Sequence, residues 1–333
     1  MVPLLGQPFL AYQLALLREH GVTDVILACS YRVDDVRQAL GDGERLGVQL
    51  RYVVETEPLG TGGGVRNAAD LARGTIFVLN GDVLTDADLT AMRHLHESRG
   101  SRTTIFLVPV ADPRAYGLVE CDPAGRLTRF REKPGADEPL TTNTINAGVY
   151  LIDAALLDRI PAGRVVSIER EFFPALIADR VPCFGWTGAA STYWRDIGSP
   201  AAYRDAQIDL LTGRVRSSLR PPGSLHEGSW LAPTVRLGPA ARVQPPSALG
   251  ERVVLGAGAH VGPLAVVGDD SQIGEDARVD GAILWERVRV GRGATLRECI
   301  VPSGVTIGPH AELGPGVVLE PHAIVPPHAK LSG

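Results

Sequence analysis

Residues 249–279 read "LGERVVLGAGAHVGPLAVVGDDSQIGEDARV". Aliphatic residues recur at every sixth position: Leu249, Leu255, Val261, Val267, Ile273 and Val279. The register extends back to Leu237 and Val243 and forward to Trp285. Gly follows most of these positions, at Gly238, Gly250, Gly256, Gly262, Gly268 and Gly274. A second run, Val301, Ile307, Leu313, Leu319 and Val325, resumes the spacing after a break at "ERVRVGRGATLREC" (286–299). A helix repeats about every 3.6 residues and a strand every two, so neither gives this period. Hexapeptide repeats build a parallel β-helix, with each aliphatic residue pointing into a narrow core and Gly at a tight corner. A chance Gly- and Val-rich region would not hold one register over so many hexads.

Before about residue 212 the pattern is different. "DVILAC", "RYVVE", "TIFVLN" and "TTIFLVPV" are strand-like, and between them "VDDVRQAL", "GVRNAADLA" and "DLTAMRHLHESRG" read as helices. That alternation predicts a parallel sheet with crossover helices. After "PVADP", "YGLVECDPAGRLTRFREKP" predicts a hairpin turning at Asp122 to Gly125. "INAGVYLID" reads as a further strand and "SIEREFFPALIAD" as a helix. A helix over "SPAAYRDAQIDLLTG" closes this half, with Ser199 as N-cap, Pro200 in the first turn and Gly213 as the stop. The chain thus divides into residues 1–212, a polar connector at 213–228 and the repeat domain at 229–333.

The 333 residues are 44% hydrophobic, enough for two domains and a large core. A net charge of −5 gives no reason to expect nucleic acid or an acidic membrane surface as partner. No apolar run is long enough to span a bilayer, so no membrane partner is expected. Four scattered cysteines without a C-x-x-C pair read as reduced thiols in a cytoplasmic protein. Eight histidines show no ligand spacing, so no zinc site is expected.

Several short stretches can carry chemistry. "ETEPLGTGGG" (55–64) follows the strand "LRYVV" and precedes a helix. Glycines let backbone amides approach a ligand, and a helix N-terminus favours polar or anionic groups. A flexible strand-to-helix turn accounts for the same residues equally well. "TIFVLNGD" places Asp82 at the carboxyl end of a buried strand, where α/β sheets hold ligands. A carboxylate there suits Mg²⁺, which takes one or two protein carboxylates plus phosphate oxygens. A helix-capping Asp is the plainer alternative, and Thr85 is a candidate cap of the next helix. "RFREKPG" places Glu132 and Lys133 at a strand end, "INAGVY" places Asn146 before a small pair, and "YWRDIGSP" places Asp196 just before a capped helix. Taken singly, each also reads as a surface or turn residue.

The ordered set "PLLGQPFL", "EPLGTGG", "NGD", "YG", "EKP", "NAGVY", "EFFP" and "YWRDIGSP", followed by hexads, resembles the sugar-1-phosphate nucleotidyltransferases over nearly the whole chain. Within that family it is most similar to the mannose-1-phosphate guanylyltransferases. The resemblance implies a Rossmann-like α/β domain with a mixed, mainly parallel sheet, followed by a left-handed parallel β-helix. It implies an NTP and a sugar 1-phosphate as substrates, with GTP and mannose 1-phosphate favoured. A sugar-phosphate oxygen would attack the α-phosphorus and pyrophosphate would leave, a transfer that needs in-line positioning and charge neutralisation. Asp82 and Asp196 match the family's Mg²⁺ ligands. Leu59, Gly60, Thr61 and Gly62 match the nucleobase loop. Glu132 matches the carboxylate that accepts from sugar hydroxyls, and Lys133 the lysine that neutralises the sugar phosphate. Gly117, Asn146 and Glu169 match further sugar-pocket positions, while Arg195 reads as structural. A homo-oligomer built on the repeats is expected.

In the resembled family "PLLGQPFL" is preceded by a strand, a Gly-rich loop carrying a catalytic Arg, and a Lys-Pro. The expectation is that Met1 marks a misassigned start or a fragment boundary. An inner strand's loss would leave its neighbours without ladder partners, at about 1–3 kcal/mol for each unpaired buried group. The alternatives are a truncated homologue that binds sugar nucleotide without catalysis, and a hexapeptide-repeat acyltransferase using one of His260, His310, His322 or His328.

Overall fold

The computed structural model describes residues 2–30, 32–135 and 137–333, and the expectation about Met1 lies outside the described residues. Contacts divide the chain into two compact units, residues 13–194 and residues 1–12 with 195–333.

The unit of residues 13–194 takes its elements from the alternating pattern. Helix α1 (Phe9–Glu19) is followed by strand β1 (Asp24–Cys29), α2 (Val33–Leu40), β2 (Gln49–Val54), α3 (Gly60–Asn67) and β3 (Thr75–Leu79). Then come α4 (Leu89–Ser98), β4 (Thr103–Pro109), β5 (Gly117–Cys121), β6 (Leu127–Glu132), β7 (Thr144–Asp153), α5 (Phe173–Ala178) and β8 (Cys183–Thr187). Thr85 ends a short strand, Val83–Thr85, and does not cap α4. Asp88 is the cap, its Oδ1 accepting from the Ala91 N–H at 2.9 Å. The β5–β6 hairpin turns where the sequence predicts, with Asp122 Oδ1 accepting from the N–H groups of Ala124 and Arg126.

The main sheet has the order β8-β4-β7-β5-β6, with β3 also paired to β7. β3, β4 and β8 run in one direction and β7 runs against them, so the sheet is mixed. β1 and β2 form a separate parallel pair. β7 is central: Ala147, Val149, Tyr150, Leu151 and Ile152 are buried along it, and Phe173 of α5 packs against Tyr150 with ring centroids 5.0 Å apart. β1 and β3 are each paired along one edge only among the described residues. Their apolar side chains, among them Val25, Ile26, Leu27, Ile76, Phe77 and Val78, are only half-buried.

In the other unit the hexads wind into a parallel solenoid whose short strands stack into three sheets of six. Leu249, Leu255, Val261, Val267, Ile273 and Val279 are buried in one core, as their register predicts, whereas in the first coil Val243 is only partly buried and Leu237 is 51% exposed, with no coil before it to cover it. The register then slips by one residue. Leu284, not Trp285, takes the inward position at 1% exposure, and the inward series continues through Val290, Leu296, Val301 and Ile307. The stretch that reads as a break is therefore repeat with two shortened corners, at 280–283 and 297–300. These corners meet the closing helix α6 (Pro200–Leu211): Arg204 donates to Gly281 O and pairs with Glu298, and Trp285 Nε1 donates to Tyr203 Oη at 2.9 Å. Losing a residue from each corner accompanies the seating of that helix, and this is why the contacts place α6 with the solenoid although the change of composition falls after it. Ser199 caps α6, accepting from Ala202 N–H, and Arg195 is held by Asp205 and Asp209. The expected connector ends in a strand, Ser224–His226, paired antiparallel with Ser229–Leu231. His310, His322 and His328 stand at solenoid corners with φ of 58°, 61° and 61°. Corner glycines are set by close approach: a Cβ on Gly291 would lie 2.5 Å from Pro309 N in the next coil.

Amides paired on both sides of a strand exchange only through larger openings. Hydrogen exchange is expected to be markedly faster for β1 and β3 than for Val149–Ile152 of β7. Equal protection of the three strands would contradict the split sheet.

Candidate functional site

The site in residues 13–194 is assembled around one buried phenol. The β7–β4 ladder shifts register between Asn146 and Tyr150, and such bulges re-aim side chains. Here the bulge turns Asn146 back on its own strand: Asn146 Nδ2 donates to Tyr150 Oη at 2.8 Å, and Asn146 Oδ1 accepts from the Gly148 N–H at 3.1 Å. Gly148 has φ +71°, and a Cβ there would lie 2.8 Å from Asn80 Nδ2, so only Gly lets the end of β3 approach the bulge. Asn80 N–H closes the approach by donating to Gly148 O at 2.8 Å. Gln13 Nε2 donates to both Asn80 O and Val83 O at 2.8 Å, bracketing the turn that carries Asp82. Asp82 itself is exposed at that turn.

Glu132 and Lys133 enter from the end of β6. Gly117 lies opposite Glu132 across the β5–β6 ladder. A Cβ on Gly117 would come within 2.6 Å of Glu132 Oε2, so the glycine makes room for the carboxylate. Burial pushes the Glu132 carboxyl above the ordinary range, and the neighbouring Glu169 charge pushes it further. Lys133 follows with φ 46°, its side chain exposed. The Tyr150 hydroxyl is held well above the usual tyrosine range by complete burial first and by Glu169 next, with Glu132 a smaller influence. The hydroxyl thus bonds with the amides of Asn146 and Asn80 and feels the charges of Glu169 and Glu132.

Glu169 comes from a turn that precedes α5. Ile168–Phe172 forms a π-helical turn. Ser167 Oγ accepts from the Arg170 N–H at 3.1 Å, and Glu171 Oε1 accepts from the Ser167 N–H at 2.9 Å. This is a capping box spread over four residues instead of three, as the wider turn requires. Glu169 is left to receive two hydroxyls on Oε2, from Thr61 at 2.7 Å and from Ser167 at 2.8 Å.

The Gly-rich segment does not form a loop ahead of a helix; α3 begins at Gly60 and contains the glycines. Gly62 N–H donates to Val166 O at 2.9 Å, and Val166 N–H donates to Leu59 O at 2.9 Å. A Cβ on Gly60 would lie 2.7 Å from Val166 O, and one on Gly63 would lie 2.6 Å from Arg164 O. The glycines therefore let the helix start pack on segment 164–168. Glu55 Oε2 accepts from the Leu59 N–H at 3.0 Å, anchoring the turn.

Leu59, Gly60, Thr61, Gly62, Asp82, Gly117, Glu132, Lys133, Asn146 and Glu169 all belong to this unit. Asp196 belongs to the other, where its Oδ1 accepts from the Gly198 N–H at 2.6 Å. No group of three or more His, Cys, Asp or Glu side chains forms a metal cluster among the described residues. Sequence reasoning passed over Tyr150, Asn80, Gln13 and Ser167. Asn80 and Tyr150 stand inside quoted motifs, but their roles depend on the bulge. Ser167 and Glu171 are one residue too far apart for the usual capping signature.

Residues 1–213 match the family model described as nucleotidyl transferase, and residues 243–328 match the GMPPB C-terminal domain. The chain is 42% identical over 239 residues to a mannose-1-phosphate guanylyltransferase of Mycobacterium tuberculosis, covering 70% of this chain and 65% of that protein. It is 34% identical over 252 residues to a mannose-1-phosphate guanylyltransferase catalytic subunit beta of Drosophila pseudoobscura pseudoobscura, covering 73% and 64%. Those alignments span just under two thirds of each relative. Among solved structures it is similar to HddC from Yersinia pseudotuberculosis complexed with GMP-PN, with a TM-score of 0.52 and 27% identity over 63% of this chain and 88% of that one. Among the described residues no helix is long and apolar enough to cross a membrane.

A carboxyl raised above its unfolded-state value favours folding most where it is protonated, and the advantage is lost as pH rises through the raised value. Glu132→Gln is therefore expected to raise the Tm at pH 8, with the gain shrinking as pH falls toward 5. A lower Tm at pH 8 would show that the ionised carboxylate stabilises the fold.

Proposed function

We propose that the chain, which belongs to the nucleotidyl transferase family, transfers a guanylyl group from GTP to mannose 1-phosphate, giving GDP-mannose and pyrophosphate. The observation that carries this reading is a set of placed polar groups: a Glu132 carboxylate given room by Gly117, a Glu169 carboxylate held on one oxygen by Thr61 and Ser167, and Asn146 bonded to the Tyr150 hydroxyl. Two carboxylates and an amide on a buried platform suit a ligand rich in hydroxyl groups, which donate to the one and exchange hydrogen bonds with the other. The mannose-1-phosphate guanylyltransferase relatives favour guanine as the base and mannose as the sugar, and the GMP-PN complex of HddC favours a guanine nucleotide.

In the proposed reaction the phosphate oxygen of mannose 1-phosphate forms a bond to the α-phosphorus of GTP, and the bond to the β,γ-pyrophosphate breaks. Glu132 and Glu169 would accept from sugar hydroxyls and hold the sugar at a fixed depth. Lys133, one residue beyond Glu132, would neutralise the sugar phosphate. Gly117 would keep space for the Glu132 carboxylate, and Leu59, Gly60, Gly62 and the backbone of Thr61 would form the base-side wall. Fixing both reactants in this way converts a bimolecular step into an effectively unimolecular one.

Mg²⁺ is the proposed cofactor. Asp82 and Asp196 offer oxygen-only donors, and Asp196 keeps Oδ2 beyond its bond to Gly198, which fits a hard cation that completes its shell with phosphate oxygens. When bound it would supply charge neutralisation at the phosphates. Residues 1–212 would carry the chemistry, with 213–228 as connector and 229–333 as the repeat domain through which a cytoplasmic homo-oligomer forms.

The test is Mg²⁺-dependent pyrophosphate release with GTP and mannose 1-phosphate. The wild-type chain is expected to release it, and Asp82→Asn to reduce the rate by about 100-fold or more. Release unaffected by Asp82→Asn, or no release by the folded chain with any NTP and sugar-phosphate pair, would overturn the proposal.

A further inference from the structure

Thr61 lies on the segment proposed for the base side, yet its side-chain hydroxyl is bonded to segment 168–169. A hydroxyl has one proton to donate, and Thr61 Oγ1 spends it on Glu169 Oε2 at 2.7 Å. The same oxygen accepts from the Ile168 N–H at 3.0 Å. The hydroxyl is thus spent within the protein. Glu169 Oε2 takes a second hydroxyl, from Ser167. Oε1 makes no hydrogen bond among the described residues, and Glu169 is only half-buried. One oxygen of the carboxylate is clamped and the other is left to receive a ligand donor.

We infer that Thr61 is a positioning residue: its hydroxyl aims Glu169 at the sugar and makes sugar-phosphate affinity depend on how the start of α3 is placed. This rests on the reading of Glu169 as a sugar-side residue. The backbone supports the coupling. Gly62 and Gly63 N–H both donate to Val166 O, and Val166 N–H donates to Leu59 O. With Gly60 packed on Val166 O too closely for any side chain, the helix start and segment 166–169 form one body.

The experiment compares Thr61→Val and Thr61→Ser in the full chain, with KM for GTP, KM for mannose 1-phosphate, kcat and Tm measured for each. Valine keeps the shape and loses the hydroxyl, whereas serine keeps the hydroxyl. Thr61→Val is expected to raise KM for mannose 1-phosphate about tenfold, the scale of a hydrogen bond to a charged group, with KM for GTP within about twofold of wild type. Thr61→Ser is expected to restore the wild-type value. A rise in KM for GTP as large as that for the sugar phosphate, or no change in either, overturns the inference. Glu169→Gln separates the two levels. If it raises KM for mannose 1-phosphate while Thr61→Val does not, the positioning role fails and the sugar-side reading stands. If Glu169→Gln leaves that KM unchanged, both fail. Should Thr61→Val not fold, Thr61→Ala removes the same hydroxyl, and the same split in KM decides.

Discussion

A single buried phenol fixes the distances of the site. Tyr150 is fully enclosed in the central strand and packed on Phe173, and its hydroxyl accepts from Asn146 Nδ2 beside the bulge of β7. Asn146 is tied to it directly and the end of β3 through the bulge backbone. The charges of two glutamates from other elements act on it. A polar atom without water must find partners in the protein, so the hydroxyl constrains every group around it. The bulge in turn requires Gly148, where any side chain would strike Asn80. Asp82 stands two residues beyond Asn80 and inherits its place from the same contact.

This arrangement stores unfavourable electrostatics. Glu132 is partly desolvated and lies within reach of the Glu169 charge. Neither feature helps the empty protein. Groups that cost stability where they sit are commonly kept for binding or catalysis. A ligand that donates hydroxyl hydrogens to both carboxylates would relieve the cost, so part of its binding energy is already prepared in the fold. Glycine serves the same end by subtraction: Gly117 gives Glu132 its space, and Gly60 and Gly63 let the helix start press against segment 164–168.

Much of the architecture was legible because it rests on periodicity. The period of six predicts the solenoid and its core positions from Leu249 to Val279, and the alternation of apolar runs with helical segments predicts the α/β half. The legible part ended where one element answers to another. Trp285 keeps the hexad count, yet the chain drops a residue before it at the corner where α6 docks, so Leu284 faces inward. Thr85 has the chemistry of a cap, but its hydroxyl donates to Tyr193 O at 2.6 Å and Asp88 caps instead. The glycines of "GTGGG" suggest a loop open to a ligand, whereas they serve close packing inside α3. At the site, motifs pointed to Glu132, Asn146 and Glu169, but not to Tyr150 or Ser167, whose roles come from a register shift and a π-turn. Neither feature has a fixed spacing in sequence.

The most direct measurement is a crystal structure of the chain with GDP-mannose bound. The account predicts mannose hydroxyls within hydrogen-bond distance of Glu132 and of Glu169 Oε1, with Glu169 Oε2 still held by Thr61 and Ser167. A sugar ring bound away from both carboxylates, or a Glu169 side chain released from Thr61 to make its contacts, would contradict it.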